Sequence, residues 1–163
     1  MELIIGSHVS FSKGQQLVGS INEALAYNAN ALMLYTGAPQ NTLRIPIDAN
    51  LTNQGHAILF NNKIDKNHII VHAPYIVNLA NNAGDNNEFA ISFLKQELSR
   101  IQALGLKYLV LHPGSFVKLT REEGLNNIVN ALNEALSDNY GVTILLETMS
   151  GIRRRPSPAG KSP

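Results

Sequence analysis

Two histidines and a glutamate stand at equivalent places in three short apolar runs. In residues 68–75, HIIVHAPY, the run 69–71 ends on His72, and in residues 107–115, KYLVLHPGS, the run 108–111 ends on His112. Residues 142–147, VTILLE, finish in the same way on Glu147. Imidazole and carboxylate are zinc-ligand types, and two His with one carboxylate leave a fourth position for water. A zinc ion so held polarises a phosphoryl oxygen and lowers the pKa of bound water to about 7, which supplies hydroxide for hydrolysis. A lone His in such a place is ordinarily a hydrogen-bonded loop residue, so the inference rests on the three being in register. Cysteine is absent, so a transition-metal site here must draw on His and carboxylates.

The residues around this trio define what must position it. Apolar runs without alternation suit strands covered on both faces, as in a parallel sheet flanked by helices, and Pro113 and Gly114 then stop the run that ends at His112. Residues 3–5 make a plausible first strand that closes at Gly6, Ser7 and His8, and residues 31–35, ALMLY, a second. Helical periods fill the gaps. Leu17, Val18, Ile21 and Leu25 predict a helix from Gln15 to about Tyr27, and residues 51–62 a weaker one with Ile58, Leu59 and Phe60 inward. Phe89, Phe93, Leu94, Leu98 and Ile101 share a stripe over residues 88–104, which Gly105 terminates. Thr120 and Glu123 form a capping box that opens a helix through Leu125, Ile128, Val129, Leu132 and Leu136.

Strand starts near residues 3, 31, 68, 108 and 142 thus alternate with helical segments as a repeated βα unit. Such units in series give a doubly wound sheet or a (β/α)8 TIM barrel. No strand is followed by a G-x-G-x-x-G turn, which weakens the dinucleotide-binding version. A barrel typically needs about 250 residues, so the barrel reading takes this 163-residue chain as truncated to about five βα units. Chemistry in such barrels sits at the carboxyl ends of the strands, where His72, His112 and Glu147 all fall. His8 follows the first strand and faces the same mouth, though its ordinary reading is a loop hydrogen-bonder. His56 and His68 belong away from the mouth. The loop after the second strand, residues 36–50, contains Gly37, Pro39 and Pro46 and is long for a compact domain, which marks it as functional.

At 44% hydrophobic and 15% charged residues the chain reads as one globular unit. Removing the four cations of residues 152–163, IRRRPSPAGKSP, leaves nine cations against twelve acids, a net charge of −3 on the rest. That stretch reads as a solvated, disordered tail foreign to the fold of residues 1–151. No apolar run approaches the roughly 20 residues that span a bilayer, and the start lacks a signal-peptide pattern, so the expected location is cytoplasmic, away from membranes.

Five motifs in order, IIGSHVS at 4–10, YTGAPQNT at 35–42, VHAPYIVNLAN at 71–81, LHPGS at 111–115 and LLETMSG at 145–151, resemble the amino-terminal part of endonuclease IV, the zinc-dependent apurinic/apyrimidinic endonuclease family. The resemblance covers residues 1–151. It implies a (β/α)8 barrel with three zinc ions that cleaves the phosphodiester bond 5′ to abasic sites in double-stranded DNA. By the same resemblance His72 and His112 ligate one zinc, and Glu147 is the catalytic carboxylate that bridges it to a second. Tyr75 and Ile76 fall where the family enters the minor groove, Gln40 and Asn41 in the loop that also enters the duplex, and His8 with the DNA-facing residues. Gln40 stands where a relative can carry Arg, so contact there is polar and uncharged.

The remaining family ligands, an Asp, several His and another Glu, have no counterpart here, so about one zinc and little cleavage are expected of this chain. An uncovered sheet edge would favour self-association. Two alternatives stand beside the nuclease: a metal-dependent sugar isomerase or epimerase of the same architecture, and an inactive zinc-binding fragment.

Overall fold

The computed structural model of the chain describes residues 3–81 and 86–148. The tail expected at 152–163, the last residues of the LLETMSG motif and part of the loop expected at 78–87 lie outside them. Five parallel strands, β1 (Gly6–Val9), β2 (Ala31–Leu34), β3 (Ile69–His72), β4 (Tyr108–Leu111) and β5 (Thr143–Leu146), alternate with four helices. These are α1 (Gln16–Ala26), α2 (Ala49–Asn61), α3 (Asn86–Ala103) and α4 (Arg121–Ala135). The strand order is β1-β2-β3-β4-β5 without reversal. A doubly wound sheet reverses its order at a switch point; this sheet winds in one direction, as a barrel wall does.

The register separates two faces. The row Val9, Leu34, Val71, Leu109, Ile144 crosses all five strands, and its three central members are fully buried. Leu17 and Ile21 of α1, Leu59 of α2 and Leu94, Leu98 and Ile101 of α3 join them in one core. The neighbouring row, His8, Met33, Ile70, Tyr108, Thr143, has no fully buried member. The apolar runs are therefore covered on the helix side, while the other face, which leads to His72, is partly open. β5, at the sheet edge, is the least covered, with Leu146 52% exposed.

Local chemistry accounts for the element boundaries. Asp48 caps α2 by accepting from the amides of Asn50 and Leu51 at 2.8 and 3.0 Å. The expected capping box of α4 is present, with the Glu123 amide donating to Thr120 Oγ1 at 3.2 Å and Thr120 N to Glu123 Oε2 at 2.7 Å. Gly105, at φ +65°, ends α3 as expected. Gly55 lets α1 and α2 approach closely, since a Cβ there would lie 2.9 Å from Leu17 Cγ.

Several expectations are corrected. The first strand is Gly6–Val9 rather than residues 3–5, because Gly6 pairs with Ala31 and His8 with Met33; Leu3, Ile4 and Ile5 are exposed. His8 accordingly lies within β1. On α2 the inward side is Thr52, Gly55 and Leu59, and Phe60 points to solvent at 83% exposure. Phe89 at the start of α3, and Leu125, Val129 and Leu136 on and after α4, are likewise exposed. Apolar identity set the periods correctly there but not the depth of burial, which depends on neighbouring elements.

Candidate metal centre

Strand pairing brings the three ligand-type residues together. His72 is the last residue of β3, and the ladder runs on past the strand ends through Ala73 N to Val110 O at 2.8 Å and Glu147 N to Leu111 O at 3.0 Å. This places Glu147 beside His112. Glu147 Oε2 lies 3.1 Å from His72 Nε2 and 3.2 Å from His112 Nε2. One ligand atom from each of the three falls within 4.8 Å of the others, the one such group among the described residues.

The donor set suits a metal on two grounds. Ligand atoms around one tetrahedral zinc, bonded at about 2.0–2.1 Å, lie roughly 3.3 Å apart, close to the two separations above. The second ground is the tautomer. His72 Nδ1 is 2.7 Å from the carbonyl of Ala73, which can only accept, so Nδ1 carries the proton. In neutral His72 the Nε2 lone pair then faces the carboxylate oxygen of Glu147, a repulsive pairing unless His72 is an imidazolium or a cation lies between them. Holding the far nitrogen on a backbone carbonyl is how metal-binding His side chains are commonly oriented. The carboxyl of Glu147 is held below the usual range, first by the His72 ring nitrogen 3.1 Å away, against desolvation, and then by His112. It is thus a carboxylate, the form that binds metal.

A chain of rings extends the site across the sheet. His8 packs on Tyr35 at 5.0 Å between centroids, Tyr35 on His72 at 5.3 Å, and His72 edge-on to His112 at 5.0 Å. Burial raises the Tyr35 phenol pKa, with Glu147 and Tyr75 adding to it, so Tyr35 is a neutral donor at ordinary pH. Beside this chain His8, Ser10, Phe11, Glu23, Tyr35 and Pro39 line a cleft of about 480 Å³.

The other sequence-selected residues are placed as follows. Tyr75, Gln40 and Asn41 are exposed on the loops that follow β3 and β2, and Ile76 is half-buried and packs on the core. His56 is a half-buried structural residue whose Nε2 is 2.9 Å from the carbonyl of Leu104, and His68 sits in a 3-10 turn before β3.

Residue types and spacing alone passed over Asn78, Glu97, Arg100, Arg44 and Gln16, which hold the loops of this mouth. Glu97 left a signal, since it falls one turn from Phe93 and from Ile101 within the apolar stripe of α3. No helix among the described residues is long and apolar enough to cross a membrane.

A pattern described as xylose isomerase-like TIM barrel matches residues 21–156. The chain belongs to the xylose isomerase-like TIM barrel family. Within this TIM barrel family it is 47% identical over 151 residues to a probable endonuclease 4 of Acholeplasma laidlawii, covering 91% of this chain and 51% of that protein. The chain spans about half the length of the curated relatives it matches. Its fold superposes on endonuclease IV from Thermus thermophilus with a TM-score of 0.70 at 24% identity, covering 90% of this chain and 52% of that one. A D-tagatose 3-epimerase-like protein follows at 0.63 and 19%, covering 91% and 55%. At such identities the structural matches speak for the TIM barrel fold, and the sequence relatives distinguish among its members.

Proposed function

We propose that this chain forms part of a zinc-dependent DNA-repair endonuclease that hydrolyses the phosphodiester bond 5′ to abasic sites in double-stranded DNA. The observation that carries the reading is the convergence of His72, His112 and Glu147 at the mouth of a parallel sheet, in a chain 47% identical to a probable endonuclease 4.

In this reading His72 Nε2, His112 Nε2 and Glu147 Oε2 hold one zinc, and the carbonyl of Ala73 fixes the His72 ring. Zinc bound there would supply Lewis-acid polarisation of a phosphoryl oxygen and a water acidified to a pKa of about 7. Tyr75, 60% exposed, would stack in the space left by the missing base, and Gln40 and Asn41 would add uncharged polar contacts. An abasic nucleotide favours this mode because it has no base to unstack when extruded. His8 and Tyr35 line the approach to the metal ligands from the side of β1. In this reading the chain by itself holds about one zinc and cleaves weakly, since one set of three protein ligands is in place among the described residues.

The test is anisotropy titration of the zinc-loaded chain with a duplex carrying one abasic analogue and with the matched intact duplex, alongside a nicking assay. Tighter binding to the abasic duplex is expected. Equal binding to both duplexes, combined with interconversion of ketohexose epimers, would replace the nuclease with the sugar epimerase suggested by the second structural match.

A further inference from the structure

Helix α3 carries two charged side chains where its stripe should be apolar. Glu97 is fully buried and Arg100 is 8% exposed. Glu97 Oε1 accepts from Arg44 Nε at 2.5 Å and Oε2 from Thr36 Oγ1 at 2.6 Å, so the carboxylate ties two positions of the loop after β2 to the helix. Arg100 completes the group, donating from Nε to Thr36 Oγ1 at 3.1 Å, from Nη2 to the Thr36 carbonyl at 2.8 Å and from Nη1 to that of Ile45 at 2.5 Å. Two guanidinium groups against one carboxylate leave a surplus buried positive charge, which the protein must compensate.

Loop carbonyls offset it on the Nη1 side of Arg44, while Arg44 Nη2 is buried without a hydrogen-bond partner. Arg44 Nη1 donates to the carbonyls of Leu43, Asn41 and Ala38 at 2.9, 3.1 and 3.4 Å, and its guanidinium lies 4.8 Å from the Phe93 ring centroid. The loop wraps this cation closely, for a Cβ on Gly37 would come within 2.7 Å of Nη1. At the far end Gln16 donates to the Pro46 carbonyl and accepts from the Asp48 amide, both at 3.0 Å. A loop without regular structure is thus fixed at its start, middle and end. Apolar packing would stabilise a loop as well as buried ions do; what the planar fork of Arg44 adds is one specified path for the backbone.

We propose that Glu97 is a positioning residue for substrate recognition: through Arg44 it fixes the carbonyls of residues 38, 41 and 43 and thereby presents Gln40 and Asn41 at the mouth. The role in recognition rests on the nuclease reading above. The arrangement also turns the only cation of residues 36–48 inward, so this loop offers its ligand no positive charge.

Hydrogen exchange over residues 37–45 of the zinc-loaded 163-residue chain, compared with Arg44→Gln/Glu97→Gln and with Arg44→Lys, tests the proposal. The double variant removes one charge of each sign and keeps the net buried charge. Expected is exchange roughly tenfold faster in the loop, with the amides of β3 and of α3 residues 94–101 unchanged. Affinity for the abasic duplex should fall about tenfold, or about 1.4 kcal/mol, at constant zinc content. Arg44→Lys keeps the charge beside Glu97 without the fork, and its loop should also exchange fast. Unchanged loop protection in the double variant, protection lost equally across α3 and β3, or full protection in Arg44→Lys would each overturn the proposal. If wild type shows no preference for the abasic duplex, the nuclease reading fails, and the exchange data still decide whether Glu97 holds the loop.

Discussion

Asn78 grips Ser115 through both ends of its side-chain amide: Oδ1 accepts from the Ser115 amide at 3.0 Å and Nδ2 donates to the Ser115 carbonyl at 3.0 Å. The pair joins the loop that follows His72 to the loop that follows His112, a tie added to the strand ladder that sets the two histidines side by side. Gly114 is shaped by the same contact. Its φ is +105°, and a Cβ there would lie 2.1 Å from Asn78 Oδ1.

Asn78→Ala should therefore lower zinc affinity by about tenfold, the usual cost of losing an outer support of a metal ligand. Competition with a chelator measures it, and unchanged affinity would show that the two loops hold their places without the amide. Gly114→Ala should destabilise the fold by about 1–3 kcal/mol through strain and crowding together. A shift of the denaturation midpoint reads this effect.

His112→Ala should bring zinc retained after dialysis from about one per chain to near zero, because two protein ligands hold the ion poorly. His56→Ala serves as the contrast. It removes the contact with the Leu104 carbonyl and should cost about 1 kcal/mol of stability with zinc content intact. Elemental analysis of both variants gives the answer, and equal zinc loss in both would sink the assignment of His112.

Tyr75→Ala should weaken binding to abasic duplex by roughly tenfold, on the scale of about 1–3 kcal/mol for one stacked base, while zinc content stays the same. The side chain is 60% exposed, so folding should be little affected. Loss of zinc in this variant would contradict a role in DNA contact alone.

The carboxyl of Glu123 is held below its ordinary value, first by the Thr120 amide and then by the Thr120 hydroxyl. A carboxyl whose pKa is depressed on folding adds stability above its unfolded pKa and loses it as pH falls through the folded value. Wild type should accordingly lose stability on acidification below about pH 4.5. Glu123→Gln should show a shallower acid limb, and identical limbs in melts across pH would show that the capping box does not titrate with folding. Thr120→Ala, which removes the cap itself, should cost about 1 kcal/mol at neutral pH.

The sequence by itself determined the βα repeat, four of the five strands, the capping box of α4 and the three strand ends on which His72, His112 and Glu147 stand. These features lie close together along the chain: the Thr120–Glu123 box closes within one helical turn, and Pro113 and Gly114 stop the run before them whichever strand pairs with it. Only the tertiary structure decided that the sheet winds in one direction, that β1 begins at Gly6, and that Phe60 faces solvent while Glu97 is buried. Register depends on pairing with a strand far along the chain, and burial on which neighbour covers a position. Beyond the place of Glu97 in the apolar stripe, nothing in one dimension linked Arg44, Glu97 and Arg100, because a loop cation and two helix charges more than fifty residues away acquire a common purpose only when the fold sets them side by side away from water.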